Sequence, residues 1–153
     1  MAGKVIQVKC IQKGYWVAIA PKPESRWFQI VSPRLTAIRE PSGKVVDIKP
    51  TVYSYFIGKV VEIDELGLRI TMVDILLLAG GVISASSYDM FWRWEDIGAI
   101  LVATPQHSLE GFIDDACWFL YHWWTTPEMR DELEESLERG GIDEANYSNI
   151  AAE

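Results

Sequence analysis

Two runs rich in β-branched residues, Gly58–Ile63 and Leu68–Val73, flank the acidic turn Asp64-Glu65-Leu66-Gly67. Strand formers on either side of a short loop ending in glycine predict an antiparallel hairpin, with Gly67 expected to supply a positive φ. In the second arm Leu68, Ile70 and Met72 share one face and Arg69 and Thr71 the other. A period of two is that of a sheet with one wetted face. The apolar run Ile75–Ala79 that follows is far shorter than the roughly 20 residues needed to cross a bilayer. It is expected to be buried.

Downstream, Met90–Trp94, then Glu95-Asp96-Ile97-Gly98, then Ala99–Val102 predict a strand, a tight turn and a closing strand. From Phe56 to Pro105 this order resembles the small β-barrels of the Sm-like and SH3-like kind. There a bent hairpin, a strand ending in an aromatic, a short turn and a last strand complete the sheet. The resemblance implies a barrel or twisted sheet and carries no function with it. The fold class expected is therefore α+β: a mostly antiparallel small β-barrel or twisted sheet followed by two C-terminal helices.

The N-terminal part adds predicted strands at Lys4–Cys10, Tyr15–Ala20, Arg26–Val31, Thr36–Arg39 and Lys44–Ile48, with Val52–Ile57 leading into the central hairpin. Prolines 21, 23, 33, 41 and 50 punctuate them, since proline cannot donate to a ladder. Trp27-Phe28 followed by Ala37-Ile38 echoes Phe91-Trp92 followed by Ala99-Ile100. The β domain of residues 1–105 could thus hold two small units, 1–50 and 51–105.

Beyond Pro105 the pattern turns helical. Ser108 suits an N-cap and Glu110 the first turn. Leu109, Phe112, Ile113, Ala116 and Leu120 form a core stripe at helical spacing. From Ala116 to Trp124 the helix is apolar nearly all round. Thr126 and Pro127 open a second helix, whose thin stripe of Met129, Leu133 and Leu137 is surrounded by acids. Gly140-Gly141 ends it. The two helices are expected to form a hairpin over residues 106–140, and residues 141–153 an acidic tail ordered by a partner.

Charge divides along the chain. Residues 1–49 hold nine Lys/Arg and three Asp/Glu, residues 50–125 three and ten, and residues 126–153 two and nine; the segment charges of +6, −7 and −7 make up the net −8. A basic end and an acidic end can attract each other within one chain or between copies.

Cys10 and Cys117 match neither a metal spacing nor a disulfide framework. His107 and His122 lie some four turns apart on one helix and cannot converge on an ion with Glu110 and Asp114. The acid pairs Asp64/Glu65, Glu95/Asp96 and Asp114/Asp115 read as turn and cap residues rather than catalysts. Without nucleophile, phosphate-loop or dinucleotide motifs, the expectation is no enzyme, no metal and no cofactor. The N-terminus carries no apolar leader, which makes a cytoplasmic location the expectation.

Two functional readings remain. In the first, Trp118, Tyr121, Trp123 and Trp124 supply an apolar interface, with Glu132 and Glu135 steering or mimicking charge, for a protein partner or a homo-oligomer. An assembly subunit, or a small inhibitor or adaptor of a larger cellular or viral machine, would use such a surface. In the second, Lys9, Lys13, Tyr15, Trp16, Arg26 and Trp27 hold single-stranded nucleic acid by phosphate contacts and stacking. The acidic remainder of the chain opposes it.

Overall fold

The computed structural model describes residues 11–52, 54–74, 84–103, 106, 108–139 and 144–146. The predicted strand Lys4–Cys10, the run Ile75–Ala79, His107, Gly140-Gly141 and most of the tail lie outside them.

The fold is α+β, with two antiparallel sheets and two C-terminal helices. Five strands make the larger sheet: β1 (Trp16–Pro21), β4 (Ile57–Ile63), β5 (Gly67–Asp74), β6 (Ser84–Arg93) and β7 (Ile97–Ala103), in the order β6-β5-β4-β1-β7. The smaller sheet has β2 (Arg34–Arg39), β3 (Val45–Thr51) and β8 (Glu144–Asn146), in the order β3-β2-β8. The division therefore does not fall near residue 50. β1 belongs with the central strands, and three residues of the expected tail form an edge strand on β2 of the same chain.

The β4–β5 hairpin forms where the alternation places it, pairing Gly58 with Met72 and Ile63 with Leu68. Its glycine acts differently from expectation. Among the described residues positive φ occurs only at Gly14 and Gly43. Gly67 is needed for space, because a side chain there would overlap the Trp92 carbonyl across the β5–β6 ladder. The turn is held by Asp64, whose Oδ1 accepts from the Leu66 and Gly67 amides at 2.8 and 3.1 Å.

No closed barrel is found among the described residues, since β6 and β7 form opposite edges of the sheet without a ladder between them. The sheet is nonetheless strongly curled. Flat, its edges would stand about 19 Å apart at four interstrand spacings. Only a 3₁₀ turn, Trp94–Asp96, joins β6 to β7, and three such residues rise about 6 Å. Curling also explains why Val17, Ala18, Ile19 and Ala20 are all fully buried: β1 has one face inside the curl and the other under a helix.

The predicted strand Arg26–Val31 is instead a short helix, α1 (Arg26–Gln29). Ser25 caps it, accepting from the Trp27 amide at 3.2 Å. A strand would send Trp27 and Phe28 to opposite faces, whereas one helical turn lets Trp27 pack on Tyr55 and Trp92 and Phe28 on Trp124. Val52–Ile57 is likewise not a strand: a 3₁₀ turn at Ser54–Phe56 precedes β4.

Helix α2 (Leu109–Trp124) begins at the expected cap, with Ser108 Oγ accepting from the Gly111 amide at 3.2 Å. Helix α3 (Pro127–Arg139) follows after two residues, capped by Thr126, which accepts from the Met129 amide at 3.3 Å. α2 packs on β1 and β7 on one side and on β3 on the other, while α3 packs on β2 and β8. The helices thus clamp two sheets together. Phe112, Ile113, Ala116, Leu120 and Trp124 join the core of the large sheet; Tyr121, Leu133 and Leu137 join a second cluster with Leu35, Ala37 and Ala145.

Candidate functional site

The aromatic end of α2 is shared between these two cores. Trp124 is buried, stacked on Phe28 at 5.5 Å and edge-on to Phe56, and its Nε1 donates to the Phe28 carbonyl at 2.8 Å. Trp123 is half-buried; its ring lies over Gly98 and its Nε1 donates to the Pro21 carbonyl at 2.7 Å. Both indoles therefore have their polar atom satisfied within the chain, as buried Trp requires. Tyr121 is buried in the second cluster. An all-round apolar helix is accounted for here by cover on two sides, and none of the exposed large hydrophobic residues lies on α2. Tyr121 and Trp124 are core residues and are not available as anchors.

Trp118 differs. It is half-buried, edge-on to Tyr121 at 5.7 Å, and it lines an open groove of about 690 Å³ together with residues of the β2–β3 hairpin and α3. Lys44, Val45, Val46, Asp47 and Ile48 line it from the hairpin side and Glu134 and Glu138 from α3. The hairpin is set by its turn: Gly43 sits at φ +91°, and its amide donates to the Glu40 carbonyl at 2.8 Å. Arg39 then ties the hairpin to α3, donating to the Gly43 carbonyl at 2.8 Å and the Leu137 carbonyl at 2.9 Å. A cation placed on the last carbonyls of a helix also opposes its dipole.

Glu132 and Glu135 are exposed on α3 but do not line the groove; Glu135 faces Arg139 at 4.0 Å. The acids that do line it, Glu134 and Glu138, directly follow the buried Leu133 and Leu137, so their i, i+4 spacing next to the stripe was the available signal. Val46 could not be found this way, because only the pairing of β3 brings it to Trp118.

The candidate nucleic-acid residues are divided between two elements. Lys13, Tyr15 and Trp16 stand at the start of β1, whereas Arg26 and Trp27 lie in a separate helix beyond its end. Trp27 is committed to Tyr55 and Trp92 at 5.5 and 5.2 Å. Lys9 is outside the described residues. Three residues of the basic third are turned on later parts of the same chain: Arg34 meets Glu144 at 2.9 Å, Lys49 meets Asp114 at 3.4 Å, and Arg39 holds the end of α3.

Burial, reinforced by the Asp114 carboxylate, pushes the Cys117 thiol up to about 12, so it is not a nucleophile near neutrality. His122 is exposed, with Nδ1 2.8 Å from the Trp118 carbonyl. Among the described residues no three His, Cys, Asp or Glu side chains converge as a metal site would require, and no helix is long and apolar enough to cross a membrane. Comparisons with protein-family models, curated proteins and solved structures return no match to this chain.

Proposed function

We propose that this chain is a non-enzymatic interaction protein that holds a segment of another protein in the Trp118 groove. One observation carries the reading. An indole and the valine Val46, which is 56 % exposed, share an open groove with two carboxylates on the facing helix. A partly buried indole beside an exposed aliphatic side chain, rimmed by polar groups, is the kind of anchor that partner surfaces use. Helix α3 holds six acids and two arginines, so it steers a partner bearing Lys or Arg next to an apolar side chain. The adaptor or inhibitor role fits that arrangement.

The test is a titration of isotope-labelled protein with Lys/Arg-rich amphipathic peptides. Shifts centred on the Trp118 indole and Val46, weakening with salt and abolished by Glu134→Lys with Glu138→Lys, support the reading. Absence of shifts, or shifts unchanged by the charge reversal, overturns it.

The scaffold reading that accompanies this is the small-barrel one. The strand order β6-β5-β4-β1-β7, with a 3₁₀ corner before the last strand, supports a sheet curled in the SH3-like manner. Single-stranded nucleic acid is the weaker reading, given the division of its residues between two elements. Salt-dependent binding of labelled oligonucleotides would restore it.

A further inference from the structure

Glu134 and Glu138 line the Trp118 groove from α3. They stand four residues apart, about 6 Å along the helix axis, so their side chains are neighbours on one face. Among the described residues neither makes an ion pair; the pair on α3 is Glu135 with Arg139. Like charges at this spacing oppose the helix that carries them, and cations brought in beside them relieve that cost. The hairpin side of the groove offers the exposed aliphatic side chain of Val46. A complementary segment therefore has two cations about 6 Å apart on one side and aliphatic side chains on the next.

Two backbone forms space cations in this way: a strand at every second residue and a helix at every fourth. An added strand draws its affinity from main-chain bonds to a sheet edge, and β3 is the edge strand beside the groove. That edge is poorly suited to it. Ile38 pairs with Asp47 and Arg39 with Val45, so Val46 is the extra residue of a bulge. The Ile48 amide is taken by Asp47 Oδ1 at 2.9 Å, and Pro50 has no amide hydrogen. Bulges, charged side chains and proline are how natural sheets keep further strands from adding. A helix needs none of these amides, since its own turns satisfy its backbone.

Building on the capture role proposed for the groove, we infer that the captured segment is an amphipathic α-helix. It carries Lys or Arg at two positions one turn apart, facing Glu134 and Glu138, and aliphatic side chains on the adjoining stripe, against Val46 and Trp118. Among the described helices of this chain none has that pattern, so a second copy does not supply it. α1 is one turn long, α2 has no Lys or Arg, and the two arginines of α3, Arg130 and Arg139, stand nine residues apart. The partner is a different, basic protein, whose helix lies beside α3 at the usual interaxial spacing of about 8–10 Å.

The experiment uses two peptides of about 15 residues with one composition of Lys, Leu, Ala and Gln. The first sets Lys pairs at i and i+4 beside a Leu stripe; the second rearranges the same residues so that Lys and Leu alternate with a period of two. Each is titrated into the full chain at about 0.05 M salt, with the Trp118 and Val46 resonances and the α-carbon shifts of the labelled peptide as readouts. The first peptide is expected to bind about tenfold more tightly, to shift Trp118 and Val46, and to become helical as it binds. A proline at its centre should reverse that advantage, and Glu134→Gln with Glu138→Gln should erase the difference between the two peptides. Equal or tighter binding of the alternating peptide, or binding of the first without added helix, overturns the helical form while leaving the groove as a capture site. No shift with either peptide overturns both.

Discussion

Tyr121 carries its hydroxyl into the cluster beneath α3, where no hydrogen-bond partner is found among the described residues. Burial and the nearby Glu134 carboxylate both raise its pKa, so it stays neutral, and its hydroxyl contributes desolvation cost without a bond. Tyr121→Phe is therefore expected to leave stability unchanged or raise it by about 1–2 kcal/mol, whereas Tyr121→Ala should cost about 3–5 kcal/mol through the cavity left behind. Urea unfolding of the two variants distinguishes these outcomes. Cys117 gives a second residue-scale prediction. Its thiol ionises at an ordinary 9.0 when unfolded and only near about 12 when folded. The fold thus keeps the proton that the unfolded chain loses. The resulting stability is fully present below pH 9 and is lost as pH rises towards about 12. In a Cys10→Ser background, Cys117→Ala should flatten the alkaline fall of the urea midpoint, and a thiol reagent at pH 8 should label Cys117 only at the rate of unfolding.

At the scale of elements, the decisive fact is that α2 is covered from both sides. Local signals were enough to place its start, because Ser108, Glu110 and the spacing of Phe112, Ile113, Ala116 and Leu120 act within one or two turns. Thr126 with Pro127, the Gly58–Val73 hairpin and the corner at Trp94–Asp96 were legible for the same reason. What local pattern cannot report is which distant element supplies cover. A helix apolar on every side is written alike whether its second face meets a partner or, as here for Tyr121 and Trp124, another layer of its own chain. The same limit hid α1, where the Ser25 cap outweighs the strand-forming look of Trp27-Phe28, and hid β8, whose partner β2 lies more than a hundred residues earlier. It also left Trp118 undistinguished from its neighbours, since its exposure depends on where β3 ends up. Arg39 is the residue that couples these remote pieces. Arg39→Ala should cost about 1–2 kcal/mol by removing its bond to the Leu137 carbonyl. Faster amide exchange in the last turn of α3 and in the β2–β3 turn, with β4 and β5 unaffected, is the expected signature. The Gly67 position tests the large sheet instead. Gly67→Ala forces a methyl against the Trp92 backbone and should cost about 3 kcal/mol, read as a drop in the thermal midpoint.

Across the whole molecule, the separation of charge along the chain becomes a set of contacts between its ends. Arg34–Glu144 and Lys49–Asp114 are surface pairs, each worth at most about 1 kcal/mol, and together with Arg39 they tie the basic third to α2, α3 and β8. The clamp itself is apolar, and it predicts what shortening the chain does. Residues 1–105 alone keep most strands yet lose the cover that Phe112, Leu120, Trp124 and Leu133 provide. Such a fragment should bind hydrophobic dye and melt without a cooperative transition, while the chain ending at 146 should melt sharply. One further consequence follows from β1 and β4 being neighbours in the sheet, with Ala18 facing Ile57. Everything from Lys22 to Tyr55 is an excursion that departs from and returns to adjacent places. Splicing a short loop across that gap would keep the order of the five strands and delete the hairpin wall of the Trp118 groove, but it would also strip Leu35 and Ala37 from beneath Tyr121, Leu133 and Leu137, so the helices would need new apolar cover on that side.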